Sequence, residues 1–324
     1  MNLVEFQILI IHHSSFIIVF RLIHSIMKIP VFWRVIVVLI VSTLAACLLH
    51  PLFYAASAVS GLDAPIKIFR RLWEICIVLG LMLARRQIGL QHPGKVGLRV
   101  SKDGIRNLLA GLIVAACFLF SLSGLYLFIG AWTYSLLFSF SYLQQKIIEG
   151  LATGAAVALV EEYIFRGLIF RSLSRRWGWI MGGGVSSAIF SSLHFLSGKG
   201  GTLENPNSWQ AGFQLCGQLL HEMISTFKLF PEAAGLFLVG FILCYAAQRT
   251  GTLWLSVGLH GGWVCFFVMR KALFETAPLW DSFWIGGNRI YNGVIPILGM
   301  LVIFPIVHYL RQWKIVRGEE MAEE

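Results

Sequence analysis

The chain reads as long apolar runs separated by short polar or Gly/Pro-containing stretches. A helix crosses a hydrocarbon core of about 30 Å with about 20 apolar residues. Inside that core a helix is one of the two structures that satisfy their own backbone polar groups. The runs at residues 31–56, 72–84, 108–129, 150–170, 179–196, 233–247, 252–268 and 293–309 are therefore predicted spans. They predict an all-α fold, a polytopic transmembrane helical bundle of about eight membrane helices. Run 72–84 is short for a crossing unless its helix extends into the basic residues that flank it.

Two stretches depart from this pattern. The apolar segment 6–20 is interrupted by His12, His13, Ser14 and Ser15, and no Lys or Arg precedes it, so it makes a poor secretory signal. It reads either as a further span or as an extension upstream of a start at Met27, where MKIPVFWR leads into an apolar run. Residues 197–232 begin SGKGGTLENPNSW, a loop composition. Their continuation at 211–227, AGFQLCGQLLHEMISTF, interleaves apolar and polar residues as an amphipathic surface helix does.

Composition agrees with the bilayer. Of 324 residues, 57% are hydrophobic and 13% charged, and the mean hydropathy is +0.75. These values exclude an ordinary soluble domain. The formal net charge is +10, but its placement points to the membrane surface and not to nucleic acid. Arg85, Arg86, Lys95, Arg99, Lys102 and Arg106 crowd one loop; Arg171, Arg175 and Arg176 mark another; Arg311, Lys314 and Arg317 lie in the tail. With eight spans these loops share the side of the C-terminus, which the positive-inside rule makes cytoplasmic, and they would also attract anionic lipid. Lys67, Arg70 and Arg71 fall on the other side of that topology. The six cysteines form no CxxC pair and read as small packing residues.

Against this background ALVEEYIFRGLIFRSL, residues 158–173, stands out, because ionised side chains inside lipid are costly unless paired or functional. Residues four apart share a helix face, so Glu162 and Arg166 can pair. Glu161 lies about 100° round the helix and is left without that partner. A charge cluster that merely locks helices together is the structural alternative. Two later segments add candidates. In AIFSSLHFL, Phe190 and His194 form FxxxH, beside a stripe of Gly183, Ser187 and Ser191 that lets a neighbouring helix approach closely. In LWLSVGLHGGWV, His260 precedes Gly261 and Gly262. The remaining histidines lie near ends, loops or interfaces.

At 1.5 Å per residue, Glu161 lies roughly 15 Å from Arg171, His194 roughly 22 Å from Trp179 and His260 roughly 12 Å from Thr252. With ordinary tilts the three converge near mid-membrane, between the fourth, fifth and seventh spans. Such a pocket supports two chemistries. In one, Glu161 is a general base that activates water with His194 for attack on a peptide carbonyl, while His260 donates to the oxyanion. In the other, Glu161, His194 and His260 bind zinc with one position open. Both are hydrolytic.

The ordered set EEYIFRG, FSSLH and LHGGW, with the TGTLW turn at 250–254, resembles the CAAX protease and bacteriocin-processing family, also called the Abi family of intramembrane proteases. These are relatives of the type II CAAX prenyl endopeptidase. The resemblance covers about residues 150–270. It implies that Glu161 and His194 activate water, Glu162 and Arg166 support the site, and His260 helps form an oxyanion hole, without a metal cofactor. Together with the apolar runs it divides the chain into a poorly defined N-terminal segment or extension (1–30), N-terminal membrane helices (31–130), a protease core (150–270) and a last helix with a cytoplasmic tail (293–324). The family's final motif usually reads HxxxN or HxxxD, whereas this chain has Val264 four residues after His260. Ser256, one turn earlier on the same face, or a backbone N–H near Gly261 or Gly262, is a candidate replacement donor.

The expected function is an inner-membrane endopeptidase acting on a peptide or membrane-associated protein, with the lipid bilayer as its other partner and no nucleic acid. Two alternatives remain. One is a catalytically inactive member acting as a binding or immunity protein, motivated by Val264. The other is a small-solute transporter, for which no inverted repeat is apparent. The chain ends MAEE and carries no prenylation cysteine.

Overall fold

Helical winding accounts for most of the described residues in a computed structural model, which describes residues 30–58, 65–84, 86, 97–135, 139–194, 203, 205–226, 232–277, 282–286 and 291–312. The expectations placed on segment 6–20, on a start at Met27 and on the basic tail at Lys314 and Arg317 lie outside the described residues. In chain order the elements are α1 (Val31–Ala58), α2 (Pro65–Leu83), α3 (Lys102–Phe128), β1 (Trp132–Tyr134), α4 (Phe140–Glu162), a π-helical segment (Tyr163–Phe170) and α5 (Arg171–His194). There follow α6 (Ala211–Thr226), α7 (Glu232–Thr250), α8 (Trp254–Leu273), β2 (Phe274–Thr276), α9 (Ser282–Ile285), α10 (Val294–Leu301) and α11 (Ile303–Gln312). The fold is all-α apart from one small ribbon. Three stretches among the described residues, Phe32–Ala56, Lys102–Phe128 and Glu232–Thr250, are long and apolar enough to cross a membrane.

Several boundaries differ from the hydropathy reading, each for a local reason. The short second run becomes helical from Pro65, whose fixed φ suits a first helical position, so the helix includes Lys67, Arg70 and Arg71. The fifth run begins at Arg171, eight residues before its apolar stretch, and Gly178 at φ 78° breaks its path. The last run is divided between α10 and α11, where Pro305 has no N–H for the Leu301 carbonyl. The antiparallel ribbon pairs Trp132 with Thr276 and Tyr134 with Phe274. With three residues per strand it leaves no readable alternation in the sequence.

The chain divides into two units, Met1–Gln91 with Lys199–Cys216 and His92–Gly198 with Gly217–Glu324. In the first, α1 and α2 pack closely at Gly80, where an added Cβ would collide with Ser42 Oγ. Trp73 donates its indole N–H to Thr43 Oγ1 at 2.8 Å, and Thr43 donates in turn to the Leu39 carbonyl. Cys47 meets the start of α6 at Gly212, which has no room for a side chain.

In the second unit α8 is the central rod, with residues 255–260 all buried. It is gripped by α3 and α4 through glycines. Gly111 sits against the Leu255 carbonyl, Gly258 against the Leu108 carbonyl, and a Cβ on Gly154 would lie 2.5 Å from the Gly261 carbonyl oxygen. Without a strong hydrophobic drive between helices in lipid, such close backbone approach is what holds them. The Gly183, Ser187 and Ser191 stripe of α5 faces α7: a Cβ on Gly240 would meet Ser187 Cβ at 3.0 Å, and Ser191 donates to the Ala233 carbonyl. The TGTLW turn joins α7 to α8 and is pinned from several sides. Arg171 donates to the Gly251 carbonyl at 2.7 Å, Leu253 N–H to the Gly97 carbonyl, and Trp254 Nε1 to the Arg99 carbonyl.

Candidate active site

Glu161 and Glu162 are the last two residues of α4, where the winding widens into the π-helical segment. A π turn shifts carbonyls out of the i→i−4 ladder and recurs at functional sites. Here Ser186 of α5 donates to the Phe165 carbonyl at 3.2 Å, and residues 165–170 are all buried. The widened turns carry Arg166 inward, where it is fully buried, as is Glu162.

The two form an ion pair, with Arg166 Nη1 donating to Glu162 Oε1 at 2.8 Å. Arg166 Nη2 also donates to the Gly240 carbonyl of α7 at 3.2 Å, and the guanidinium carbon stands 4.4 Å from the centre of the Phe190 ring. Arg166 is thus held by an anion, a carbonyl dipole and an aromatic face. A buried cation needs such company, since the desolvation of an unpaired charge costs several kcal/mol.

The same Glu162 oxygen takes a second hydrogen bond, from His260 Nδ1 of α8 at 2.8 Å. A carboxylate paired with arginine can only accept, so the Nδ1 proton of His260 is assigned by its partner. His194, at the end of α5, is held in the same way by its own helix, because its Nδ1 lies 2.9 Å from the Phe190 carbonyl, which also can only accept. Both imidazoles are anchored at Nδ1, and both turn Nε2 toward Glu161. His194 Nε2 and His260 Nε2 each lie 3.9 Å from Glu161 Oε2. That oxygen is buried and has no hydrogen-bond partner among the described residues. A separation of 3.9 Å is too long for a direct hydrogen bond and suits bridging by one water.

Phe190 ties these groups together. Its ring lies 4.3 Å from the His194 ring, 6.0 Å from that of His260 and 5.2 Å edge-on from Phe165, besides its contact with Arg166. The aromatic position of FxxxH therefore packs against Arg166 and both imidazoles at once. Sequence reading placed Phe190 in the motif but assigned it no part. The Glu162–His260 bond was also missed, since no spacing rule links residues on separate helices.

Ser256 is fully buried, with its hydroxyl in hydrogen-bonding contact with the Glu162 carboxylate and 2.9 Å from the Leu253 carbonyl. Gly261 and Gly262 lie within α8, where their N–H groups belong to the helical ladder, and both serve close packing, against Gly154 and Ala115. Val264 lines the cavity occupied by His194 and His260. For the zinc alternative, three donors must lie about 2.0–2.2 Å from a single point. Among the described residues no group of three or more His, Cys, Asp or Glu side chains is arranged to hold a metal ion.

Residues 143–266 match the family model described as Type II CAAX prenyl endopeptidase Rce1-like. The matched interval contains Glu161, Glu162, Arg166, His194 and His260, and it bears out the resemblance drawn from the motifs. No curated protein and no solved structure matches the chain.

Proposed function

We propose that this chain is an intramembrane endopeptidase of glutamic type, in which Glu161 and His194 activate a water and His260 stabilises the oxyanion. The observation that carries the reading is the pair of 3.9 Å gaps from Glu161 Oε2 to the two Nε2 atoms, each imidazole being anchored at Nδ1. With its proton on Nδ1, neutral His194 presents a bare Nε2. A water in the gap then donates one hydrogen to His194 Nε2 and the other to Glu161 Oε2, which leaves its lone pairs free to attack a carbonyl carbon.

As the bond forms, Glu161 takes a proton from the water and delivers it to the leaving amine. General base catalysis of this kind contributes typically about 10² to 10⁴ in rate. His260 donates from Nε2 while Nδ1 stays on Glu162.

The substrate is a peptide or a membrane-associated protein, cut within or next to the bilayer. The distribution of basic residues supports a multi-pass protein of an inner membrane with a cytoplasmic C-terminus. A second reading rests on Val264: with an aliphatic side chain where an amide donor would stand, the pocket binds a peptide without cutting it, as an immunity or binding protein does.

The test compares protein termini in otherwise identical cells that express the wild-type chain or Glu161→Ala, with expression of both verified. Termini that vanish in the variant support proteolysis and name the substrate. Identical termini together with an intact wild-type phenotype favour the binding reading.

A further inference from the structure

The candidate site opens onto a cavity of about 180 Å³ with a largely apolar lining, which His194, His260, Trp263 and Tyr291 also enter. Residues 260, 263 and 264 stand at i, i+3 and i+4 of α8, so their side chains share one helix face, and all three line this cavity. Val264 offers no hydrogen. Trp263 does, and its side chain is 94% buried on the strength of a 6% exposure. Its indole Nε1 has no acceptor among the described residues. Buried indole N–H groups usually find an acceptor, and a donor left unmatched at a catalytic pocket calls for an explanation. A substrate carbonyl entering between the imidazoles would supply the missing acceptor.

We infer that the Trp263 indole N–H is the second oxyanion donor of this site, acting beside His260 Nε2 on the carbonyl oxygen of the scissile peptide. The role rests on the endopeptidase reading. It explains how the chain dispenses with an amide side chain at position 264, and it gives Trp263 a contact that strengthens as charge develops on the oxygen. Loss of one oxyanion donor lowers turnover by about 10² to 10³.

The test uses the full chain in detergent and a synthetic peptide that spans a Glu161-dependent cut found in the cellular comparison. Trp263→Phe removes the N–H and keeps an aromatic ring. The expected result is a fall in kcat of about 100-fold with KM and the thermal unfolding midpoint unchanged. Adding Val264→Asn in the same chain returns a side-chain N–H to that helix face and restores at least about tenfold of the loss. A Trp263→Phe protein with wild-type kcat overturns the inference. So does a loss that follows a lowered unfolding midpoint and is not rescued by Val264→Asn, because the indole is then a packing residue. If no cut depends on Glu161, the endopeptidase reading falls first and this role falls with it, whereas a cut that depends on Glu161 but not on Trp263 removes this role alone.

Discussion

Glu162→Gln tests whether one buried carboxylate oxygen serves both Arg166 and the His260 imidazole. In the native protein Arg166 and Glu162 are fully excluded from solvent, 2.8 Å apart. Breaking a buried pair by removing one partner costs about 3–5 kcal/mol, because the other charge is stranded. The stranded guanidinium keeps the Gly240 carbonyl at 3.2 Å and the Phe190 ring at 4.4 Å, which places the effect near the lower end of that range. The His260 bond survives with an uncharged acceptor, at a further cost of about 1 kcal/mol. The expected destabilisation is therefore about 4 kcal/mol in reversible detergent or denaturant unfolding. The double variant Glu162→Gln with Arg166→Met removes the stranded charge and should recover at least about 2 kcal/mol of it, a coupling that additive effects do not produce. A coupling below about 0.5 kcal/mol would show that Arg166 does not depend on Glu162 and would refute the argument.

Three other perturbations follow from the same geometry. Phe190→Leu removes a cation–π contact and three ring contacts and should destabilise by about 2–3 kcal/mol; an unfolding free energy within about 1 kcal/mol of wild type would contradict its packing against Arg166 and both imidazoles. Gly154→Val drives a side chain against the Gly261 carbonyl, so α4 and α8 must separate at a cost of about 1–3 kcal/mol. Cleavage should fall with it, since Glu161 and His260 ride on those two helices, and full activity would show that the two helices tolerate the spacing. Incubation with EDTA or phenanthroline should leave cleavage unchanged, and a loss reversed by added zinc would establish Glu161, His194 and His260 as metal ligands instead.

The members of the site are unequally buried. Glu161 is the least buried of the charged members, with its side chain 28% exposed, while Glu162 and Arg166 are shut away completely. The buried pair orients His260, the Phe190 carbonyl orients His194, and Glu161 Oε2 faces the Nε2 atoms of both. Division of labour between two adjacent carboxylates follows from their angular separation on the helix. One faces α8 and the arginine, and the other faces the gap between the imidazoles.

Much of this is legible in the order of residues. The apolar runs mark the helices because a bilayer demands their length, and EExxxR, FxxxH and the later histidine stand out because charge is costly in such runs. The Glu162–Arg166 pair is readable because both partners lie on one turn of one helix. Boundaries were less legible. The π winding after Glu162, the break at Gly178 and the two three-residue strands carry no periodic signal of their own.

What could not be read is everything that depends on which helix lies beside which. Glu162 and His260 are 98 residues apart, and no local rule says that their atoms share a hydrogen bond. The indole of Trp263 and the hydroxyl of Ser256 look equally available in the sequence, since each sits one turn from His260. Packing separates them: Ser256 is fully buried against the Leu253 carbonyl and Glu162, while Trp263 lines the cavity with no acceptor among the described residues. Helical periodicity assigns a residue to a face, but the neighbour that face meets is set by the close approach of glycines on α3, α4, α5, α7 and α8, and that is a property of the assembled bundle.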